Sequence, residues 1–268
     1  MTWCPGCGDF GVLEALREAF SRTGLDPAQT VLVTGSGCSS MIGFFVKTYA
    51  IHGLHGRALP IAWGVKLANP SLKVIVAGGD GDAFAVGAGH LVHIARRNPD
   101  LTYLIMDNGC YGLTRGQASP TARRGGMAEE NGAGQPINPL AFLITAGATF
   151  VAQGYSEDPQ SLILLIQQAL NHHGFAAVNI LSPCPTFNRP EAAPPYRPEV
   201  VNIEATSHPV HDRLEALRLA MTEDDRLRVG VFYRENRDVL NEKPKGAGRE
   251  DGRDDLTRLG EIMDELKP

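Results

Sequence analysis

The strongest constraint on the fold is the regular alternation of short β-rich apolar runs with longer helical segments between residues 9 and 183. Such runs are typical of strands buried on both faces, and helices between them make successive strands parallel. The predicted strands are "TVLVTG", "LKVIVAGGDGD", "LTYLIMDNG", "TFVAQG" and "FAAVNILSP". The sequence therefore predicts an α/β protein with a doubly wound, mainly parallel sheet covered on both faces.

The helical segments carry their own start and stop signals. In "DFGVLEALREAFSRTG", Asp9 is a candidate cap, and Gly24 ends a helix with one apolar face. Pro70 stops a second helix. The other predicted helices are "DAFAVGAGHLVHIARRNP", "LAFLITAGA" and "DPQSLILLIQQALNHHG".

From Pro190 onward the composition shifts to proline and charged residues. One helix is predicted in "VHDRLEALRLAM" and one strand in "RVGVFY". We therefore expect one domain over residues 1–190 and a C-terminal extension over 191–268 that contacts a partner.

Charge and hydropathy exclude two classes of protein. The 268 residues carry a formal net charge of −5 without a cluster of Lys and Arg, which argues against nucleic-acid binding. No apolar run is long enough for a membrane span, and no basic leader precedes an apolar stretch, so we expect a cytoplasmic protein with no membrane partner. Five cysteines, an odd number, then favour thiols or metal ligands over a disulfide framework.

Two polar residues follow neighbouring predicted strands. Asp80 comes after one strand and Asn108 after the next, with one helix between them. Because parallel strands end at the same edge of a sheet, both side chains can reach one ligand. Carboxylate and amide oxygens suit Mg²⁺, and the glycines around Asp80 allow backbone N–H groups to approach phosphates. The residues thus predict a metal-bound diphosphate, although a tight turn with a helix cap is the simpler alternative for "GGDGD".

The chain opens on "MTWCPGCGDF", in which Cys4 and Cys7 form a C-x-x-C pair. Such a pair can be a redox disulfide, half of a zinc site or part of an iron–sulfur ligand set. A thioredoxin-like role would require the pair to follow a strand and open a helix. These alternatives are not resolved by the pair itself.

The stretch "GDGDAFAVGAGHLVHIARRNPDLTYLIMDNGCYGLT" resembles the thiamine diphosphate motif. Together with "WCPGCGD", "GSGCSS", "HGLHGRALPIAWGVKLANP", "GLTRGQASPT" and "SPCPTFN", it resembles the β subunit of a 2-oxoacid:ferredoxin oxidoreductase, most closely the 2-oxoglutarate type. The motifs cover about residues 3 to 190 in the order of the family.

The resemblance implies one 4Fe-4S cluster held by Cys4, Cys7, Cys38 and Cys184. Cys38 follows the first strand and Cys184 the last, so four thiolates from three places can form one cage. Structural zinc would use the same four thiolates.

The resemblance also implies the residues around the thiamine diphosphate. Asp80, Asn108 and the backbone carbonyl of Cys110 would hold Mg²⁺, and Asp9 and His55 would lie near the thiamine. Plainer roles are a helix cap for Asp9, loop hydrogen bonds for His52 and His55, and core packing for Cys110. The remaining residues expected at the cofactor are Cys38, Gly79, Gly81, Asp82, Tyr111, Gly112 and Leu113.

Arg115, in the "GLTRGQ" loop, is expected to recognise an anionic group, either a substrate carboxylate or a coenzyme A phosphate. Solvation of an exposed loop residue is the alternative. With His55, Arg115 is a predicted catalytic residue.

The implied reaction is the coenzyme A-dependent oxidative decarboxylation of a 2-oxo acid, with single electrons passing through the cluster to ferredoxin. It can also run in reverse to fix CO₂. In the family the glutamate that activates the thiamine comes from an α subunit, so the resemblance implies an obligate α partner in an αβ or (αβ)₂ assembly. Two alternatives are a cluster-free thiamine enzyme of the acetolactate synthase type and an electron-transfer protein without thiamine.

Overall fold

The core of the molecule is a sheet in which six neighbouring strands run parallel. The computed structural model describes residues 3–122, 134–188 and 199–240, together with Asp264. In that part of the chain the sheet strands are β1 (Thr30–Thr34), β2 (Tyr49–His52), β3 (Lys73–Gly79), β4 (Leu101–Asp107), β7 (Phe150–Tyr155), β8 (Phe175–Leu181), β9 (Glu199–Asn202) and β10 (Arg226–Arg234). Two more strands, β5 (Cys110–Tyr111) and β6 (Gln117–Ala118), form a separate hairpin.

The strands lie in the order β2-β1-β3-β4-β8-β7-β10-β9. All pairs from β2 to β7 are parallel, β10 is antiparallel to β7, and β9 is parallel to β10. The chain proceeds outward from β1 to β2 and then returns to place β3 on the other side of β1. This reversal opens a crevice between the carboxyl ends of β1 and β3, where α/β sheets commonly bind ligands.

Helices cover both faces of this sheet, as predicted. They are α1 (Asp9–Thr23), α2 (Ala58–Ala68), α3 (Ala88–Arg97), α4 (Pro139–Ala146), α5 (Pro159–Asn171) and α6 (Arg213–Ala220), with a π-helical turn at Asp82–Val86 and short 3₁₀ turns at Pro27–Gln29, Ser39–Phe45 and Ile203–Ala205. Gly24 ends α1 with a left-handed backbone. Among the described helices, none combines the length and the apolar character that a bilayer crossing would require.

One predicted capping role is wrong. Helix α1 begins at Asp9 itself, and Gly8 occupies the preceding position without a side-chain cap. The carboxylate of Asp9 instead accepts a hydrogen bond from Ser182 Oγ at 2.8 Å. Asp9 therefore ties the start of α1 to the segment after β8.

Alternating strand residues pack into two apolar layers, one on each side of the sheet. Val74, Val76 and Ile105 belong to one cluster, whereas Ile75 and Leu104 belong to the other. Because side chains of a strand point alternately to opposite faces, near-continuous apolar runs are what a sheet buried on both sides requires.

The segment after residue 198 contributes strands to the same sheet. The predicted strand "RVGVFY" lies inside β10, which pairs with β7 in an antiparallel arrangement. Four short strands, β2, β5, β6 and β9, lie outside the predicted ones. The boundary between residues 190 and 191 stays a prediction, since both of these residues lie outside the described ranges.

Strand β2 forms one edge of the sheet and is exposed along its whole length. Large apolar side chains lie on and beside it, with Tyr49 64%, Phe44 63% and Leu54 77% exposed. Exposed apolar groups beside an open strand edge form a surface able to pair with another chain.

A buried asparagine links the amino-terminal ends of β4, β7 and β8 by hydrogen bonds. Asn98 ends α3 with φ of 54° and is 1% exposed. Its Oδ1 accepts hydrogen bonds from Thr149 Oγ1 at 2.6 Å and from the Phe175 backbone N–H at 2.8 Å. Its Nδ2 donates to the carbonyls of Arg237 and Asp238, both at 3.2 Å. Asparagine suits this position because it tolerates the left-handed backbone and its amide can form all four of these hydrogen bonds.

We predict that Asn98→Ala lowers the free energy of unfolding by about 2–4 kcal/mol, because buried partners lose their hydrogen bonds and alanine disfavours the left-handed backbone. Urea denaturation followed by circular dichroism measures this change. Asn98→Gly also loses the side-chain hydrogen bonds, but glycine tolerates the left-handed backbone. Its free energy of unfolding should therefore exceed that of Asn98→Ala by about 1 kcal/mol. Equal stability of Asn98→Ala and the parent would contradict the role given to this side chain.

Candidate functional site

The polar candidates meet where the central strands end. Gly79 of β3 pairs with Met106 of β4, so Asp80 follows directly opposite Asp107. On the other side of β4, Asp107 pairs with Leu181 of β8, and Ser182 N–H donates to the Asp107 carbonyl at 2.8 Å. The predicted convergence of neighbouring strand ends is therefore present, and the segment that carries Cys184 adjoins it.

Asp80 is buried and held by hydroxyl groups. Thr121 Oγ1 donates to Asp80 Oδ2 at 2.6 Å and lies 2.7 Å from Asp107 Oδ1, and Ser119 Oγ makes a short hydrogen bond to the same Asp80 oxygen. Burial, followed by the nearby charge of Asp107, raises the pKa of Asp80 to about 7. Two buried carboxyl groups side by side form a hard-oxygen donor set that a divalent cation would stabilise.

Asp107, Ser119 and Thr121 were not among the predicted site residues. Asp107 lies at the end of a predicted strand, and the two hydroxyls belong to the quoted "GLTRGQASPT" motif. The signal for Asp107 was its position beside Asn108. The hydroxyls reach Asp80 only because the β5–β6 hairpin folds back over the sheet edge.

Asn108 organises the turn into that hairpin. Its Oδ1 accepts a hydrogen bond from the Cys110 backbone N–H at 2.9 Å, and its backbone carbonyl accepts one from Asn188 Nδ2 at 2.6 Å. Gly109 has φ of +68°, and a Cβ there would lie 2.8 Å from Asn188 Nδ2. Since a carbonyl oxygen has two lone pairs, the amide oxygen of Asn108 can support the turn and still bind a cation.

Asp82 connects the β1 end to the loop that carries His55. Its Oδ1 accepts hydrogen bonds from the N–H groups of Gly56 at 2.7 Å and Ser36 at 3.3 Å, and it lies 3.1 Å from His55 Nδ1. Burial raises the pKa of Asp82, whereas these backbone donors and His55 oppose the rise. A Cβ on Gly35 would overlap the Asp82 carboxylate, so glycine is required there.

Tyr111 covers the glycine of the "GDG" motif. A Cβ on Gly81 would overlap the Tyr111 ring, and the His55 ring centroid lies 5.9 Å from that of Tyr111. The structure thus brings Asp80, Gly81, Asp82, His55 and Tyr111 together at one sheet edge.

The tip of the hairpin approaches the cysteines and extends into solvent. A Cβ on Gly112 would lie 3.2 Å from Cys38 Sγ, whereas Leu113 is 64% exposed. Arg115 is exposed and has φ of +75°, an uncommon backbone for a residue with a side chain. The Arg115 N–H donates to the Gly112 carbonyl at 3.1 Å, which closes the turn and leaves the guanidinium facing outward.

Three separate segments bring the cysteines together. Trp3 Nε1 donates to the Cys38 carbonyl at 2.8 Å, and the Gly8 N–H donates to the Pro183 carbonyl at 3.0 Å. The first bond ties the N-terminal segment to the loop after β1, and the second ties it to the loop after β8. Cys4, Cys7, Cys38 and Cys184 are all free thiols.

The thiol environments differ in how well they support a thiolate. A hydrogen bond from Cys110 and backbone N–H groups, including that of Phe187 at 3.4 Å from Sγ, lower the pKa of Cys184 to about 5 despite burial. Burial raises the pKa of Cys7 to about 12, and the charges of Asp9, Cys184 and Cys38 add to this rise. Neighbouring thiolates without a cation repel each other, so this set suits a cluster whose irons neutralise them.

No three of the described His, Cys, Asp and Glu side chains converge on a position for a single metal ion. A four-iron cluster needs wider spacing, because each thiolate binds a different iron. The donor chemistry and the three converging segments fit such a cluster.

Asp9 lies beside the cysteines, where burial and then the charge of Asp9 raise the pKa of both Cys7 and Cys38. It is 1% exposed, and its Oδ2 has no hydrogen-bond partner among the described residues. Burial raises its pKa to about 6. Its predicted position near thiamine stays a prediction.

Two family models match the chain. The C-terminal thiamine pyrophosphate-binding domain of thiamine pyrophosphate enzymes matches residues 29–180, and the C-terminal region of the pyruvate ferredoxin oxidoreductase β subunit matches residues 184–247. The first match spans the sheet from β1 to β8, which confirms the predicted fold class.

Comparison with curated proteins gives relatives of the same kind as the family models. The chain is 44% identical over 246 residues to the 2-oxoacid:ferredoxin oxidoreductase subunit beta of Saccharolobus solfataricus, covering 86% of this chain and 81% of the relative. It is 40% identical over 190 residues to the 2-oxoglutarate synthase subunit KorB of Archaeoglobus fulgidus, covering 70% of this chain and 71% of the relative.

A solved structure extends the likeness to the whole chain. The 2-oxoglutarate:ferredoxin oxidoreductase from Magnetococcus marinus, with 2-oxoglutarate, coenzyme A and succinyl-CoA bound, superposes with a TM-score of 0.85 at 40% identity, covering 100% of this chain and 92% of that one. Sequence, fold and the geometry of the sheet edge agree, and the chain belongs to the β subunits of the 2-oxoacid:ferredoxin oxidoreductases.

Proposed function

We propose that this β subunit, with an α subunit, catalyses the coenzyme A-dependent oxidative decarboxylation of 2-oxoglutarate and delivers the electrons to ferredoxin. The preference for 2-oxoglutarate rests on relatives named as 2-oxoglutarate synthase subunits and on the full-length similarity to an enzyme solved with 2-oxoglutarate. The reaction is reversible, and reduced ferredoxin would drive carboxylation.

The observation that carries the proposal is that two ligand sets of different chemistry adjoin at one sheet edge. Asp80 and Asn108 offer oxygen atoms, and four cysteines offer sulfur. The loop containing Cys184 is hydrogen-bonded to the turn at Asn108 through Asn188. A thiamine-dependent reaction that releases single electrons needs both sets within a short distance of each other.

On the oxygen side, Asp80, Asn108 and the Cys110 carbonyl would hold Mg²⁺ and, through it, the diphosphate of thiamine diphosphate. When bound, thiamine diphosphate supplies an electron sink for breaking the bond to the departing carboxylate. The lack of a side chain at Gly79 and Gly112 would let the diphosphate approach the backbone, and at Gly81 it makes room for the Tyr111 ring. Asp82 holds His55 beside Tyr111, where His55 would face the reacting region. His55 would orient polar groups of the substrate there.

On the sulfur side, Cys4, Cys7, Cys38 and Cys184 would hold one 4Fe-4S cluster. The Cys184 carbonyl accepts a hydrogen bond from Asn188, which also bonds to Asn108 on the oxygen side. Cys4 is the exposed cysteine of the four. An exposed ligand allows a ferredoxin to approach the cluster closely. Electrons would therefore enter near Cys184 and leave near Cys4.

The α subunit would complete the site by contributing the glutamate that activates the thiamine, as the family resemblance implies. We further propose that the C-terminal extension, 191–268, contacts that partner and that the complex is cytoplasmic. The chain by itself would then be inactive. Whether the assembly is αβ or (αβ)₂ follows from the mass of the purified complex.

Anaerobic co-purification with the α subunit, followed by assays of ferredoxin reduction with 2-oxoglutarate, pyruvate and a branched 2-oxo acid, tests the proposal. We expect activity to require the α subunit and coenzyme A and to be highest with 2-oxoglutarate. Full activity without iron would favour a cluster-free thiamine enzyme, whereas iron without bound thiamine diphosphate would indicate an electron-transfer subunit.

We predict that the two cofactor sites can be emptied separately. Asp80→Ala removes an anionic Mg²⁺ ligand, so the affinity for thiamine diphosphate should fall by at least about 100-fold while the protein stays brown. Cys184→Ala leaves three protein thiolates, so iron should fall well below about four atoms per chain while thiamine diphosphate is retained. Iron and thiamine are quantified in each variant purified without oxygen.

Asp80→Asn is the matched control, because it keeps the shape and the hydroxyl contacts but loses the charge. It should bind thiamine diphosphate more weakly than the parent and retain all of its iron. A Cys184→Ala protein with full iron, or an Asp80→Ala protein with full thiamine diphosphate, would show that the ligands are assigned to the wrong residues.

We predict that Arg115→Ala raises KM for the 2-oxo acid or for coenzyme A by about 30-fold, because a charged hydrogen-bond pair contributes about 2 kcal/mol or more. The positive φ of Arg115 provides a control, since Arg115→Gly removes the same guanidinium while relieving the backbone. Both variants should behave alike if the side chain binds the anion. Unchanged KM values for both substrates would identify Arg115 as a solvated loop residue.

A further inference from the structure

The serine that follows β8 contacts two parts of the site. Ser182 is buried, and its backbone N–H donates to the carbonyl of Asp107 at 2.8 Å. Its side-chain hydroxyl donates to Asp9 Oδ1 at 2.8 Å, across 173 positions of the sequence. The first bond reaches the end of β4, beside Asn108, and the second reaches the start of α1, beside the C-x-x-C pair. Ser182 therefore links the oxygen side of the site to the sulfur side.

The start of α1 lies so close to the segment after β8 that no side chain fits between them. A Cβ on Gly8 would lie 2.8 Å from the Pro183 nitrogen and from the Ser182 carbonyl carbon, and 2.7 Å from Ser156 Oγ. Backbone atoms cannot move aside as the end of a flexible side chain can. The Gly8 N–H also donates to the Pro183 carbonyl at 3.0 Å. The N-terminal segment is thus packed directly against the segment that carries Cys184.

The hydrogen bond between Asp9 and Ser182 lies close to one proposed cluster ligand on each segment. Cys7 is two residues before Asp9, and Cys184 is two residues after Ser182. Both bonded residues are buried, with Asp9 1% and Ser182 2% exposed, so water has little access to replace the bond. Loss of the hydroxyl would leave a buried carboxyl oxygen without its donor, and separation of the two segments would then cost less free energy.

Resting on the proposed function, we propose that Ser182 is a positioning residue whose hydroxyl, bonded to Asp9, holds the N-terminal cysteines against the loop of Cys184 and so retains the 4Fe-4S cluster. Iron is released when the ligand segments separate by local opening, and this opening requires the bond to break. The backbone bond from Ser182 to Asp107 does not depend on the side chain. Removal of the hydroxyl should therefore affect the sulfur side and spare the oxygen side.

The experiment measures the rate of iron release from the anaerobically purified αβ complex to the chelator bathophenanthroline disulfonate, followed by absorbance. In Ser182→Ala we expect release about tenfold faster than in the parent, or more, because a buried hydrogen bond to a carboxylate shifts the opening equilibrium by about that factor. The bond between Gly8 and Pro183 remains, so the freshly purified variant should still contain the cluster. Its content of thiamine diphosphate should equal that of the parent.

Two controls separate the hydrogen bond from packing. Ser156→Ala removes another buried hydroxyl beside Gly8, one without a hydrogen-bond partner among the described residues, and should release iron at the parent's rate. Ser182→Thr retains the donor and should restore a rate within about threefold of the parent. The melting temperature of each complex is measured, so that global unfolding is distinguished from local opening.

A double-mutant cycle tests whether Asp9 is the partner through which Ser182 acts. Asp9→Ala should also accelerate iron release. The double variant Asp9→Ala/Ser182→Ala should release iron no faster than the faster single variant, because both substitutions break the same bond. Rates that multiply in the double variant would show that the two residues act independently, and the inference would be wrong.

Other results would also overturn the inference. Release at the parent's rate in Ser182→Ala would show that the hydroxyl does not retain the cluster. Equal acceleration in Ser182→Thr and Ser182→Ala, or in Ser156→Ala, would assign the effect to packing. If Ser182→Ala cannot be purified with iron, restored iron in Ser182→Thr supports the inference and its absence contradicts it. A parent complex without iron would instead overturn the proposed function itself, and iron analysis of the parent identifies that outcome.

Discussion

The pairing of parallel strands β1, β3, β4 and β8 is the constraint on which the rest of the structure depends. Its register places the residues that follow each strand along one edge, so that Asp80, Asp107 and Ser182 become neighbours although the chain separates them widely. The ladder is buried except at the ends of β3 and at the last residue of β8. Its alternating apolar side chains supply both layers of the core. A register shift would separate the ligands and reverse the faces at the same time.

The hairpin after β4 converts that edge into two adjoining environments. The segment after its return strand brings Ser119 and Thr121 to Asp80, and its tip at Gly112 lies beside Cys38. One side of this short element therefore faces the carboxyl groups of Asp80 and Asp107, and the other faces a cysteine sulfur. The close approach depends on glycine at 81 and 109, where a side chain would meet Tyr111 and Asn188.

The sequence was enough to predict the long strands and helices, because apolar runs and helix stop signals are local. It also predicted that Asp80 and Asn108 share an edge, since this follows from parallel connections alone. The antiparallel direction of β10 and the short strands β2, β5, β6 and β9 depend on tertiary pairing that carries little local signal. For the same reason Ser119 and Thr121 escaped prediction, and the local pattern at Asp9 suggested a cap although its carboxylate bonds to Ser182.

The exposed edge at β2 has a consequence for how the subunit is made. Its outer backbone edge pairs with no other described strand. Together with the apolar side chains of Phe44, Tyr49 and Leu54, this edge offers the same template to a second copy as to a partner subunit. A newly synthesised chain would therefore face a competition between pairing with a partner subunit and edge-to-edge aggregation. An excess of this chain over its partner favours aggregation, so balanced synthesis of both subunits in the cell would protect this subunit from aggregating.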